Sequence, residues 1–69
     1  MNNISTLTHS TAFEVRYPPL AEGRELAFPC DDGGHVDMNR LSKRALSDYL
    51  YARALVGRMF GLPQVRSVQ

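Results

Sequence analysis

The segment from Asp37 to Pro63 carries start and stop signals for one long helix, and it constrains the fold more than any other part of the chain. Two residues in it have the side-chain oxygen that caps a helix N-terminus, Asp37 and Ser42. These two candidate starts compete. A short turn at 38–41 that leads into the main helix would use both caps, and we predict that arrangement.

The predicted end of this helix depends on a glycine and a proline. Gly61 suits the left-handed position that follows a helix, and Pro63 cannot continue one. Leu62 would then pack back on Val56. We therefore predict that the helix extends to Phe60.

Two runs of alternating residues precede the helix, and this alternation is typical of half-buried strands. The runs are separated by Pro18-Pro19 and a loop through Gly23, so they predict an antiparallel hairpin from about Thr11 to Cys30. A proline inside the second run indicates an edge strand, because proline has no N–H to donate. The residues expected to face the core are Phe13, Val15, Tyr17, Leu26, Phe28 and Cys30.

The expected fold is therefore one small α+β domain with the order β-β-α, spanning residues 11–63. Residues 1–10 are polar and without periodicity, so we expect a flexible tail there. For residues 64–69 two alternatives stay open. The segment either adds a third strand or frays.

Chain length and cysteine content limit how such a domain can be stabilised. A core built from 69 residues rarely supplies more than about 3–5 kcal/mol. Cys30 is the single cysteine, which excludes an intrachain disulfide and a four-cysteine zinc site. Efficient packing or association with another chain must therefore supply additional stability. A free thiol, no export signal and no apolar run approaching about 20 residues predict a cytoplasmic protein without membrane contact.

The helix carries more apolar surface than one hairpin can cover. A core stripe at helical spacing comprises Leu41, Ala45, Tyr49, Ala52, Val56, Met59 and Phe60. A second stripe beside it comprises Leu46, Leu50, Ala54 and Gly57. Either the C-terminal tail or the loop at 18–23 covers this second stripe, or its small residues let another chain approach.

Arg53 falls between the two stripes, and three roles are open to it. It could pair with Glu14, Glu25 or Asp31 and so fix the helix against the hairpin. It could instead extend its stem over apolar surface with its charge in water. Finally, it could bind a phosphate or carboxylate of a partner.

A cluster of reactive residues between Cys30 and Asp37 predicts no chemistry. Its ligand types and spacing match neither a zinc pair nor a calcium loop. Cys30 and His35 could be imagined as a nucleophile and a base, but Cys30 falls on the apolar face of its strand, where an inert thiol is more common. A turn at 31–34 and a helix cap at Asp37 explain these residues except His35. We expect no enzyme, no cofactor, no metal and no small-molecule substrate.

The uneven charge distribution leaves two function classes. The net charge is +1, but residues 1–37 carry six acids and two bases while residues 38–69 carry six bases and one acid. We predict a non-enzymatic protein-interaction module that self-associates or docks on a protein partner through Leu46, Leu50, Arg53, Ala54 and Gly57. The alternative is a small nucleic-acid-binding or regulatory protein that uses the polar side of the helix, through Lys43, Arg44, Tyr51 and Arg58.

Overall fold

The computed structural model describes residues 13–68, so the tail expected at residues 1–10 lies outside the described residues. The chain forms a small α+β domain, as predicted. Its elements in chain order are strand β1 (Phe13–Tyr17), strand β2 (Leu26–Cys30), a 3₁₀ turn (Met38–Arg40), helix α1 (Lys43–Ala54) and strand β3 (Gln64–Ser67).

The three strands form one antiparallel sheet with the order β2-β1-β3. The predicted hairpin is confirmed, and Pro29 lies on an edge strand as its missing N–H requires. The C-terminal segment forms the third strand, so the fraying alternative is wrong for Gln64–Ser67. Val15 lies directly opposite Phe28 on one side and Val65 on the other, and directly opposite residues share a face of the sheet.

The core lies between this face of the sheet and one side of α1. Aromatic rings form its centre, with Phe28 edge-to-face against Tyr49 at 5.2 Å and against Tyr17 at 6.0 Å between ring centroids. Such pairs favour edge-to-face geometry because the positive ring edge meets the negative face. The buried residues are Val15, Tyr17, Phe28, Cys30, Tyr49, Ala52 and Phe60.

The start of the helix uses both predicted caps. The Asp37 carboxylate accepts a hydrogen bond of 3.1 Å from the Asn39 N–H at the start of the 3₁₀ turn. The Ser42 hydroxyl oxygen accepts one of 3.0 Å from the Ala45 N–H at the start of α1. The 3₁₀ turn therefore leads into the main helix, as the competing signals predicted.

The predicted end of the helix at Phe60 is wrong, because α1 ends at Ala54. The Leu55 carbonyl accepts the N–H groups of Arg58, Met59 and Phe60, which closes a tight turn in place of further helix. Gly57 lies in this turn at φ +90°, a left-handed conformation that glycine adopts without the penalty a Cβ imposes.

Tertiary hydrogen bonds to the hairpin loop hold this turn. The Gly61 N–H donates to the Pro18 carbonyl at 2.8 Å, and the Leu20 N–H donates to the Met59 carbonyl at 3.0 Å. Phe60 is buried by this pairing, whereas Met59, predicted for the core, is 50% exposed. Leu62 is 77% exposed, so the predicted packing on Val56 does not bury it.

Candidate protein-docking surface

The second apolar stripe of the helix is present but shorter than predicted. Leu46 is half-buried, Leu50 is 48% exposed and Ala54 is exposed. Gly57 lies beyond the end of α1 and is not part of the helical stripe. Within residues 13–68 neither expected cover shields Leu50, because β3 pairs with β1 at the far edge of the sheet and the loop turns toward Phe60.

The exposed apolar surface continues from the helix onto the turn and the hairpin loop. The Tyr51 hydroxyl donates a hydrogen bond of 3.3 Å to the Met59 sulfur. The Tyr51 ring also lies edge-to-face on Phe60 at 6.0 Å. Leu20 reaches the same turn through its bond to the Met59 carbonyl and is 57% exposed.

These residues form one continuous surface because Ala54 lies one turn after both Leu50 and Tyr51 on the helix. We call it the docking surface, and it comprises Leu20, Leu46, Leu50, Tyr51, Ala54 and Met59. Periodicity alone could not find Met59 and Leu20, because it assigned Met59 to the core and Leu20 to a loop. The early end of the helix brings both to this surface.

A cleft of about 260 Å³ borders the docking surface between the hairpin loop and α1. Its apolar wall includes Pro19, Tyr51 and Met59. Glu22 and Asp48 contribute carboxylates and Arg24 a guanidinium group to its lining, so the cleft has polar and apolar walls. A partner side chain could therefore insert beside the docking surface and not only lie across it.

Arg53 packs against an aromatic ring on its own helix. Its guanidinium carbon lies 5.4 Å from the centroid of the Tyr49 ring, within the range of a cation–π contact. The predicted ion pair with Glu14, Glu25 or Asp31 does not form among the described residues, where Glu14 pairs with Arg16 and Asp31 with His35. The side chain is exposed, so its charge is available to a partner.

The residues predicted for nucleic-acid binding do not all lie on the helix. Lys43 and Arg44 are exposed on the first turn of α1, whereas Arg58 lies in the turn beyond the helix end. Tyr51 is held by its contacts to Met59 and Phe60. Three cations with this spread offer only a modest electrostatic attraction for phosphates.

The turn that follows β2 accounts for the cluster around His35. The Asp31 carboxylate accepts hydrogen bonds from the backbone N–H groups of Gly33 and His35 at 2.9 and 2.8 Å, and the His35 Nδ1 lies 3.1 Å from it. These hydrogen bonds lower the pKa of the Asp31 carboxyl below its ordinary value, and the bond from the His35 backbone N–H has the largest effect. His35 thus closes the turn, which the sequence left unexplained.

Cys30 belongs to the core and is 3% exposed. Burial raises the pKa of its thiol, and the nearby charges of Asp31 and Glu14 raise it further. An open cleft of about 420 Å³ brings Cys30, His35 and Arg40 to one place, but the His35 Nδ1 is bonded to Asp31. Within residues 13–68 no group of three or more His, Cys, Asp and Glu side chains is arranged to hold a metal ion.

Comparison with known proteins gives no match, so the function is inferred from the geometry described above. No protein-family model, no curated protein and no solved structure matches the chain. Among the described residues no helix combines the length and the apolar character that crossing a membrane demands.

Proposed function

We propose that this protein is a non-enzymatic interaction module that binds an amphipathic, acidic segment of another protein on its docking surface. One observation carries the proposal. The side chains of Leu50, Tyr51 and Met59 are each about half exposed, Tyr51 contacts Met59, and all three lie on a well-capped helix and the turn that follows it. A contiguous exposed apolar patch on a small domain is typical of an interaction site.

The residue types support a protein partner. Tyrosine and methionine are enriched at the centres of protein interfaces, and the rigid ring of tyrosine is buried with little loss of conformational freedom. The hydrogen bond to Met59 and the ring contact with Phe60 hold the Tyr51 side chain in place before a partner arrives. Preorganised contact groups of this kind lower the entropy cost of association.

The charges around the docking surface support acidic flanks on the partner. Lys43, Arg44, Arg53 and Arg58 lie on α1 and its following turn, against the single acid Asp48. In the bordering cleft, Arg24 offsets the second carboxylate, Glu22. A partner segment with Asp or Glu beside its apolar residues would complement these cations and would be steered toward them. An isologous dimer through the same helix would bring like charges together, which disfavours a second copy as the occupant. A cytoplasmic location is part of the proposal and is supported by the free thiol of Cys30.

Three labelled peptides of about 15 residues, long enough to form helix on binding, test this proposal. Each has leucines at helical spacing, and the remaining positions are Glu in one, Gln in the second and Lys in the third. Fluorescence anisotropy measures their affinity for the full chain. We expect the Glu peptide to bind most tightly, with an affinity that falls as salt rises from about 50 mM to about 500 mM.

A matched pair of variants locates the binding. Leu50→Glu places a charge at the centre of the docking surface and should weaken binding of the Glu peptide at least about tenfold. Ala27→Glu makes the same charge change on an exposed position of β2 and should leave binding unchanged. Equal affinity for all three peptides, or equal effects of the two variants, would contradict the proposal.

The same titration also tests the two alternative functions, nucleic-acid binding and self-association through the docking surface. A labelled duplex DNA and a single-stranded RNA replace the peptides, and steep salt-dependent binding lost on mutation of Lys43 and Arg44 would favour the nucleic-acid alternative. Loss of a concentration-dependent dimer in Leu50→Glu would instead identify a second copy as the occupant.

A further inference from the structure

The outer edge of β3 is open, and it differs from the other edge of the sheet. Among residues 13–68, β3 is hydrogen-bonded only to β1, and all four of its residues are exposed. The opposite edge strand, β2, contains Pro29, and its core face is packed against α1. Proline protects an edge strand from pairing with other chains because it has no N–H to donate. None of the four residues of β3 is a proline.

The core-facing side of β3 is also incompletely covered. Val65 continues the apolar row of Phe28 and Val15 across the sheet, yet it is 42% exposed while the other two are buried. The helix lies over β2, and the turn after β2 comes close to Val65 at Gly34. An apolar row thus ends at an open edge with unpaired backbone groups.

From these features we propose that β3 pairs with β3 of a second copy of this chain, antiparallel and about a two-fold axis, to form a continuous six-stranded sheet. A two-fold axis makes the interface self-complementary. In antiparallel pairing, directly opposite residues have side chains on the same face of the sheet. The axis must therefore pass beside one residue of β3, which then lies opposite the same residue of the second copy. The choices within the centre of β3 are Gln64, Val65 and Arg66.

Side-chain chemistry selects the register centred on Val65. An axis at Arg66 would place two guanidinium groups directly opposite each other, which is destabilising. An axis at Gln64 would place Pro63, which has no N–H to donate, opposite Val65 and next to the axis, whereas an axis at Val65 moves Pro63 opposite Ser67 at the end of the strand. An axis at Val65 places the two valines side by side and joins the apolar rows of both sheets.

The residues that flank β3 fit the same register. Leu62 is 77% exposed and Val68 is 44% exposed. With the axis at Val65, Leu62 lies opposite Val68 of the second copy if the pairing extends to both ends. Gln64 lies opposite Arg66 of the second copy, so no like charges meet. Neither of the other two registers brings the exposed apolar residues together.

This association is independent of the partner proposed for the docking surface, because that surface lies on the helix and the turn after it. Light scattering on the full chain from about 10 µM to about 1 mM should give a mass that rises toward that of a dimer. A constant monomer mass over this range would overturn the proposal. So would a dimer that Leu50→Glu abolishes and the β3 variants below leave intact.

Charge variants at Gln64 test the interface in both directions. Gln64→Glu places a carboxylate opposite Arg66 of the second copy and should tighten dimerisation severalfold, whereas Gln64→Arg should weaken it about tenfold or more. The control is Ala27→Arg. Like Gln64, Ala27 lies directly opposite Arg16 within the chain, so Ala27→Arg introduces the same internal repulsion at the other edge. Equal weakening by both arginine variants would overturn the proposal.

Disulfide cross-linking tests the register. Opposite residues have Cα atoms about 4.5–5.5 Å apart, which a disulfide can span. Val65→Cys should therefore cross-link between copies under oxidation, whereas Arg66→Cys, at a diagonal separation of about 7–8 Å, should do so at least tenfold more slowly. The unmodified chain, whose one thiol is buried, provides the background. Faster cross-linking of Arg66→Cys, or none by either variant, would overturn the assigned register.

Discussion

The guanidinium carbon of Arg53 lies 5.4 Å above the ring of Tyr49, one helical turn earlier. This contact replaces the ion pair with the hairpin acids that charge distribution alone suggested. The positive charge instead faces a ring whose other contacts are in the core, where Phe28 packs against it. Arg53 therefore covers the edge of the core with its stem and leaves its charge at the surface.

We predict that Arg53→Ala lowers the free energy of unfolding by about 0.5–1 kcal/mol, the usual contribution of a surface cation–π contact. Urea denaturation followed by circular dichroism measures the change. A double-mutant cycle with Tyr49→Leu should show coupling, and one with Glu14→Gln should show none. Coupling to Glu14 alone would indicate the ion pair after all.

Replacing Gly57 should be costly even though its side chain would meet no neighbour. A Cβ built there has nothing within 4 Å, but the backbone lies at φ +90°. Gly57→Ala should therefore cost about 1–2 kcal/mol from backbone strain. Gly61→Ala is the control, because Gly61 has no positive φ and its Cβ would lie at an ordinary 3.4 Å from Pro18. An equal loss in both variants would contradict the assigned helix end.

Phe28 is the residue whose truncation the domain should tolerate least. It is 4% exposed and contacts both Tyr17 and Tyr49. Truncating a buried phenylalanine costs about 3–5 kcal/mol, which is as much as a core of this size supplies. Phe28→Ala should be unfolded at 25 °C by circular dichroism. Leu50→Ala should change stability by no more than about 0.5 kcal/mol, and a larger loss would mean that Leu50 is covered.

The turn at Asp31 should contribute stability that depends on pH. Hydrogen bonds lower the pKa of its carboxyl in the folded state, so this contribution is present above about pH 4 and is lost as pH falls through the folded-state pKa. Asp31→Asn should therefore melt at a lower temperature than the unmodified chain at pH 7. Thermal melts from pH 7 down to pH 2 should show the difference shrink in the acid range. A constant difference would contradict the assigned contribution.

Cys30 should be chemically inert in the folded protein. Its thiol is buried and its pKa is raised, so little thiolate is present at neutral pH. Reaction with a chromogenic disulfide at pH 7.5 should be at least about a hundredfold slower than in denaturant, because access requires transient opening of the core. Equal rates in the two conditions would place the thiol at the surface.

Local patterns were sufficient for the hairpin and for the start of the helix. Alternation in Phe13–Tyr17 and Leu26–Cys30 gives the strands because one face of each is buried, and this requires no knowledge of distant residues. The two caps at Asp37 and Ser42 are equally local, since each side chain bonds to a backbone N–H within its own turn.

The end of the helix could not be read from the same kind of signal. Gly57 and Gly61 are both plausible stops, and the apolar residues Val56, Met59 and Phe60 continue the helical spacing by coincidence. The helix ends at the earlier site because the turn that follows it forms hydrogen bonds with Pro18 and Leu20, which are remote in sequence. Because this choice moves Met59 outward, the candidate docking surface depends on it as well.

The third strand was undetermined for a related reason. Gln64–Ser67 is short and all four of its residues are exposed, so it carries little periodic pattern of its own. Its structure comes from β1, which supplies the pairing groups. A segment stabilised mainly by backbone bonds to a distant strand has no strong local preference to detect.

The large sequence separation of β3 from β1 has a consequence for the folding kinetics. Residues 18–63 separate β3 from β1, whereas the hairpin strands are close in sequence, so joining β3 to the sheet closes the longest loop in the domain. We expect β3 to attach after the hairpin and helix have formed and to detach before they unfold. Its amides should exchange with solvent faster than those of β2, and substitutions there should accelerate unfolding without slowing folding.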